Sequence, residues 1–373
     1  MKNRPLLLTL VVLLIVGVVL SACGGNANDT MTGNNDAAAN NDAAANNDAS
    51  GDDDMATGFV PAADCENYVL VPKNLGNPYF DTSNVGAQEA ADELGITVLY
   101  QGSATADATE QISLLNSLIA QNVCGLAISA NDADALVPTG KAAMEAGIAV
   151  VTFDSAIAPE GRVFHVNQAV LYDIGAIEIQ MAADLAGPDG GQIAILSAAS
   201  TAPNQNAWIE VMKEVLDTDE YANLELVEVV YGDDDDTKSY NEAQALFSKY
   251  PDLKVIIAPT TVGIAASARA VTDAGLIGQV FVTGLGTPNQ MREYVKNGAS
   301  PQFALWNPLD LGYLSVYALH ALATGDIQGV EGDTFSAGRL GDYTIGYDED
   351  LGLNVLYGTP FVYNADNIDN FDW

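Results

Sequence analysis

From residue 67 onward, short runs of consecutive apolar residues alternate with stretches in which apolar residues recur every three or four positions. The first pattern marks strands buried on both faces of a parallel sheet, and the second marks the helices that cover it. Apolar runs at 68–71, 96–100, 125–129 and 148–152 read as strands, with helices at 81–94, from 107 onward, and at 135–146 between them. Gly95 and Gly147 stop two of these helices, while Asp107 and Glu110 form a capping box that opens the other. Ile112, Leu115 and Ile119 then recur on one face. A second series comes next, with strands at 163–166, 192–196, 225–230, 255–258 and 280–283 and helices at 170–185, 206–216, 238–249 and 264–274. Repeated strand–helix–strand units in this order wind a parallel sheet. The pattern therefore predicts an α/β protein of two doubly wound parallel-sheet lobes facing each other across a cleft.

The run at 148–152 ends in a single acid, Asp154. In open α/β sheets ligands sit at the carboxyl ends of the strands, so the strand delivers this acid to the binding rim. No nucleophile or cluster of metal ligands stands beside it, which suits an acceptor for a neutral polar ligand. After the first strand come Lys73 and Asn77, which offer hydrogen bonds, and Tyr79 and Phe80, which offer flat apolar faces. Sugars present hydroxyl edges and C–H faces and need both kinds of group. Read one at a time, Phe80 is equally a core residue and Lys73 a solvated loop lysine. In the second series Asn204, Gln205 and Asn206 open a helix, where capping accounts for one amide but not three. Pro259, Thr260 and Thr261 come after another strand, and the threonines suit a turn or cap as well as a ligand. Trp306 precedes Asn307 and Pro308, read as a break at a strand end. The 283–287 stretch, Thr-Gly-Leu-Gly-Thr, lacks the spacing of a dinucleotide loop and reads as a tight crossing between lobes.

The 373 residues do not begin with either lobe. Lys2 and Arg4 precede an apolar run at 6–20 that is shorter than the ~20 residues needed to span a bilayer, the pattern of a signal peptide over 1–22. The run Leu20-Ser-Ala-Cys23 is similar to a bacterial lipobox, which makes Cys23 the lipidated first residue of the mature chain. Residues 23–60 repeat Asn, Asp and Ala and read as a disordered acidic tether, because such a segment cannot bury enough surface to offset its ordering entropy. A formal net charge of -37 argues against nucleic-acid binding and against docking on anionic lipid.

Cys65 and Cys124 stand just before the first and third strands. With a sheet order of 2-1-3-4-5 those strand starts are neighbours, ~4.8 Å apart, which brings the two cysteines within bridging distance on the edge opposite the ligand site. Two buried free thiols are the alternative. His165 and His320 fall in no triad or metal-binding spacing, so neither an enzyme nor a metal or cofactor site is predicted.

Taken together, Leu118-Ile-Ala-Gln121, Ile128-Ser-Ala-Asn-Asp132, Asp154-Ser155, Ala158-Pro-Glu-Gly161, Asn204-Gln-Asn206, Tyr231-Gly-Asp233, Ala258-Pro-Thr-Thr-Val-Gly263, Val282-Thr-Gly-Leu-Gly286, Trp306-Asn-Pro-Leu-Asp-Leu-Gly312 and Phe361-Val-Tyr-Asn364 make the chain from about residue 67 onward resemble a known family. It resembles the ribose-type sugar-binding proteins of ABC importers, and among them the rhamnose-binding branch. The resemblance implies a type I periplasmic-binding fold with a three-segment hinge, its crossings near 166–167, 284–285 and 306–307. The lobes are then 61–166 plus 284–306, and 167–283 plus 307–373.

The resemblance further implies that Asp154 accepts hydrogen bonds from sugar hydroxyls and that Asn77, Tyr79 and Phe80 line the first-lobe wall. Ser155 stands where the ribose pattern has an arginine, Gly286 where it has a second acid, and Trp306 where it has glutamine. Lys73, Asp154, Gln205 and Pro259 are also similar to the Lsr-type receptor for the furanose autoinducer-2, from which Asn204 and Thr261 depart. The expected protein is an extracytoplasmic monomer held to the outer face of the cytoplasmic membrane only by the lipid on Cys23. Its implied partners are a monosaccharide, most consistent with L-rhamnose, and an ABC permease with its ATPase subunit; autoinducer-2, ribose or xylose are the alternative solutes.

Overall fold

The computed structural model describes residues 59–60, 65 and 67–373. The signal peptide, Cys23 and all but the last two residues of the tether lie outside the described residues. In chain order the elements are β1 (Tyr68–Val71), α1 (Pro78–Leu94), β2 (Val98–Tyr100), α2 (Ala108–Ala120), β3 (Gly125–Ile128), α3 (Val137–Glu145), β4 (Ala149–Phe153), β5 (Phe164–Ala169), α4 (Leu171–Ala186), β6 (Gly191–Ser197), α5 (Pro203–Leu216), β7 (Leu224–Tyr231), α6 (Asp236–Lys249), β8 (Leu253–Ala258) and α7 (Thr261–Asp273). They continue as β9 (Phe281–Gly284), α8 (Pro288–Asn297), β10 (Gln302–Leu305), α9 (Pro308–Thr324), β11 (Thr334–Ser336), β12 (Asp342–Thr344), β13 (Gly346–Asp348), β14 (Gly352–Gly358) and β15 (Phe361–Asn364).

The first lobe holds a sheet of order β13-β14-β5-β4-β3-β1-β2, parallel except for β13. Its centre has the predicted 2-1-3-4-5 winding. Alternate residues of one strand serve opposite cores: Leu70, Ala127 and Val151 pack with α1 and α9, whereas Val69, Leu126 and Val150 pack with Leu115 and Leu118 of α2. A strand buried on both faces has no polar side to spare, which is why these runs are continuously apolar. Helices α1 and α9 approach so closely at Gly86 and Gly312 that a Cβ on either would lie within 1.9 Å of a backbone oxygen of the other helix. The second lobe holds the parallel order β7-β6-β8-β9, continued through a bridge between Leu285 and Ala304 to the antiparallel pair β10 and β15.

Two features of the predicted domain plan are corrected. The plan places residues 284–306 in the first lobe, yet β9 pairs with β8, and α8 and β10 pack on α7 and α4, all of the second lobe. It places residues 307–373 in the second, yet α9 packs on α1, β3 and β4, and β14 pairs with β5, all of the first. Only β15 and the residues after it return to the second lobe. The chain therefore crosses after Ala169, at Trp306–Asn307 and again between β14 and β15. No crossing occurs at Gly284–Leu285, where Leu285 N bonds Ala258 O within the lobe at 3.0 Å. The physical reason is that α9 is apolar over most of its surface and must be covered, and in the folded chain α1 and the first sheet cover it. Its start, Asn307-Pro308, is not a break but a cap: Asn307 Oδ1 accepts from Leu309 N at 3.0 Å and proline takes the first helical turn.

A disulfide joins Cys65 and Cys124, whose Cα atoms are 4.9 Å apart. Cys124 immediately precedes β3, and Gly125 is in register with Tyr68 of β1, so the bridge lies at the strand starts, on the edge away from the cleft. Among the described residues no helix is long and apolar enough to cross a membrane.

Candidate functional site

Register brings the first-lobe chemistry together. Val71, Ile128 and Thr152 are neighbours across β1, β3 and β4, so the residues just beyond them, Lys73, Ser129 and Asp154, emerge at one rim. The loops there are fixed from beneath by Gln111 of α2, whose amide donates to Ser129 O at 2.7 Å and accepts from Asn131 N at 2.9 Å. Asn131 in turn donates to Lys73 O at 2.9 Å. Asp154 turns the chain with φ of 59°, the left-handed region that few side chains tolerate. Its carboxylate is buried and accepts from Ser129 Oγ at 2.7 Å.

The second lobe meets this rim from above. Lys73, itself buried, donates across the cleft to Asn204 Oδ1 at 2.7 Å and Gln205 Oε1 at 2.9 Å. Both amides lie in the first turn of α5 and neither stands at the cap position, which is Ala202 and makes no side-chain bond; Asn204 Oδ1 also accepts from Gln205 N at 3.0 Å. Thr260 occupies the cap position of α7 without a side-chain cap bond, and its hydroxyl donates to Asp234. Trp306 sits at the crossing itself and donates from Nε1 to the Tyr79 hydroxyl at 2.8 Å. Around it the rings of Tyr79 and Trp208 meet Trp306 edge-on at 6.2 Å and 5.8 Å, and Tyr79 meets Phe80 at 5.0 Å.

These groups enclose a cavity of about 330 Å³, mouth included. Of the predicted residues, Lys73, Tyr79, Phe80, Asp154, Gln205, Pro259, Thr260, Thr261 and Trp306 line it. Two do not. Asn77 caps α1, its Oδ1 accepting from Tyr79 N at 3.1 Å and from the Thr261 hydroxyl at 3.2 Å, so it ties the lobes from behind the wall. Asn204 faces a neighbouring hinge cavity with His165, Asn167 and Gln168, and reaches Asp154 Oδ1 at 3.4 Å. Four lining residues went unpredicted: Trp208, Leu285, Leu305 and Asp234. Asp234 stands in a run of four acids, 233–236, whose bland reading is a solvated surface; nothing in the sequence separates it from its neighbours.

Electrostatically the site is two acids about one cation. Burial pushes the Asp154 carboxyl up from the ordinary carboxylate range; Lys73, Ser129 and Tyr79 draw it back, and Asp234 adds to the rise. Burial lowers the Lys73 ammonium, while Asp154 and Asp234 hold its proton on. Such a set accepts and donates hydrogen bonds at one edge of a ligand and offers ring faces at another, without a nucleophile and base pair. Among the described residues no group of three or more histidines, cysteines or acids is gathered to hold a metal ion.

Residues 68–327 match the family model for the periplasmic binding protein domain. A solved ABC transporter solute binding protein from Clostridium phytofermentas, with bound L-rhamnose, is 38% identical, covers 83% of this chain and 98% of its own, and superposes with a TM-score of 0.80. LsrB from Clostridium saccharobutylicum, in complex with AI-2, is 26% identical over 82% of this chain and 100% of its own, with a TM-score of 0.78. The D-ribose/D-allose-binding protein of Pseudomonas aeruginosa is 28% identical over 240 residues, 61% of this chain and 73% of that protein. The chain therefore belongs to the periplasmic binding proteins, and within them to the ribose-type solute-binding proteins of ABC transporters, near the rhamnose branch. Its relatives are extracytoplasmic carriers rather than enzymes.

Proposed function

We propose that this periplasmic binding protein captures L-rhamnose between its lobes and presents the closed form to an ABC permease and its ATPase subunit. The observation that carries the reading is the division of the cavity into a polar edge, formed by Lys73, Asp154 and Gln205, and an aromatic wall, formed by Tyr79, Phe80, Trp208 and Trp306. A 6-deoxyhexose has this duality, with hydroxyls for the acid and amide and a methyl group for the rings. Burying one methyl against such a wall contributes about 0.8 kcal/mol, and each charge-assisted hydrogen bond to Asp154 about 1.5 to 3 kcal/mol. A micromolar affinity corresponds to about 8 kcal/mol, which a few such contacts reach. The 38% identical relative with bound L-rhamnose supports the same choice.

A second reading, receptor for the furanose AI-2, draws on Lys73, Asp154, Gln205 and Pro259 and on the likeness to LsrB. Asn204 and Thr261 depart from that pattern. Isothermal titration calorimetry of the leaderless protein against L-rhamnose, D-ribose, D-xylose and AI-2 tests both. Micromolar or tighter binding of L-rhamnose alone is expected; preference for AI-2 transfers the protein to the second reading, and preference for a pentose removes the methyl argument.

The same proposal includes a lipid on Cys23 and a monomeric state. Cys23→Ser is expected to release the protein from the membrane fraction, and light scattering of the leaderless chain is expected to give the mass of one copy. Retention of the variant at the membrane, or a dimer mass, overturns the respective part.

A further inference from the structure

The acidic run 233–236 looks uniform in sequence, but its four carboxylates do four different things. Asp233 pairs with Lys238 on the surface. Asp235 caps α6, accepting from Lys238 N at 2.7 Å. Asp236 forms a two-armed pair with Arg269, at 2.7 Å and 3.0 Å. Asp234 alone lines the cleft cavity, where the buried Thr260 hydroxyl donates to it. Both Asp233 and Asp234 have left-handed backbone, φ 54° and 51°, the turn that separates their directions so sharply. A half-buried carboxylate facing the cavity loses part of the hydration that its three exposed neighbours keep, a cost that calls for partners in the folded or liganded state.

Its partners are few. Thr260 supplies one hydrogen bond, and Lys73, from the other lobe, supplies the compensating charge that it also supplies to Asp154. A carboxylate has about four acceptor positions, so the group retains capacity directed at the cavity.

We propose that Asp234 is a second sugar-hydroxyl acceptor, supplied by the second lobe to complement Asp154 of the first. The inference rests on the sugar-binding reading above. A ligand held this way is gripped by one acid from each lobe, so its hydroxyls at separate positions are read by separate lobes and closure itself becomes selective.

The test is calorimetry of the full mature protein and of Asp234→Asn, with Asp233→Asn as a control that removes the same charge outside the cavity. The ligands are L-rhamnose and its singly deoxygenated analogues. Asp234→Asn is expected to weaken L-rhamnose binding tenfold or more, and Asp233→Asn less than twofold. One deoxy analogue that binds the wild type weakly is expected to lose nothing further in Asp234→Asn, because the missing hydroxyl and the missing charge are one contact. Asp234→Ser, which adds no bulk, replaces the amide variant if that one does not fold. Affinity within twofold of wild type, or an equal loss for every analogue, overturns the proposal, the latter because Asp234 would then act only through Lys73. Wild-type protein that binds none of these ligands overturns the L-rhamnose reading and with it this proposal for that sugar, a result distinct from wild-type binding that the Asp234 variants leave untouched.

Discussion

Lys73 Nζ, carried by the loop after β1 in the first lobe, lies 2.7 Å from Asn204 Oδ1 in the first turn of α5 in the second. With the 2.9 Å bond to Gln205 it forms a cross-cleft clasp that can exist only while the lobes are closed. Lys73→Met keeps most of the side chain's length and removes the clasp. Hydrogen bonds to a charged group contribute about 1.5 to 3 kcal/mol each, so a loss equivalent to even one of the two is expected to lower sugar affinity about ten- to a hundredfold. Small-angle scattering of the sugar-free variant is expected to show a larger radius of gyration than wild type. Equal radii and equal affinity would mean that the clasp does not set the closed population.

Asp154→Ala is expected to weaken sugar binding by an order of magnitude or more, read by calorimetry. The wild-type pH profile gives an independent check. Burial raises the Asp154 pKa, so on acidification its carboxylate is lost above the pH at which an ordinary aspartate protonates, normally about 3.9. Affinity is therefore expected to decline on acidification at a pH above the ordinary aspartate range. A profile unchanged down to the ordinary aspartate range would place the ionised form of Asp154 outside the binding contacts.

Tyr79→Phe leaves the buried Trp306 Nε1 without the hydroxyl that it reaches at 2.8 Å. An unsatisfied buried donor costs about 1 to 3 kcal/mol, which urea unfolding of the sugar-free protein resolves. Little change in midpoint would show that the indole finds another acceptor at the crossing.

Cys65→Ser with Cys124→Ser opens a loop of 59 residues. In the chain-entropy description closing such a loop contributes about 4 kcal/mol, so a clear fall in melting temperature is expected. Sugar affinity is expected to hold, because the bridge lies at the strand starts and the site at the strand ends. Loss of affinity in a folded double variant would contradict that separation.

Glu178, fully buried on α4, has two carboxyl oxygens without hydrogen-bond partners. Burial raises its pKa well above the ordinary value, so the folded protein keeps its proton at pH values where the unfolded chain has released it. The native state then binds the extra proton, and stability is complete below about pH 4.3 and is lost as pH rises towards the native pKa. Glu178→Gln is expected to flatten this part of the melting-temperature profile, measured by calorimetry from acid to neutral pH. A variant with the wild-type slope would assign the pH dependence to other groups.

Much of this is legible without coordinates, for an identifiable reason. Strands buried on both sides must be apolar at every position, so β1, β3, β4, β6 and β8 announce themselves, and the residues just after such a strand stand at the rim. That rule alone points to Asp154; Lys73, Gln205 and the threonines after β8 are open to blander readings until the other residues of the cavity are seen beside them. The rule has nothing to say about α9, whose apolar surface is equally compatible with either lobe, and so it misplaces the crossings. Nor does it separate Asn77, which caps a helix behind the wall, from the residues of the wall itself.

The sequence by itself determined the doubly wound α/β architecture, the edge at which the cavity opens, and several of the residue types that line it, because periodicity and strand ends are local properties of a chain. Tertiary structure alone decided which lobe owns the segment from α9 to β14, and which of four adjacent acids faces inward, an order of detail that propensity does not reach. Those outcomes depend on contacts between residues more than a hundred positions apart, Lys73 with Asn204 and Tyr79 with Trp306 among them, and on two successive left-handed residues that aim Asp233 outward and Asp234 into the cleft.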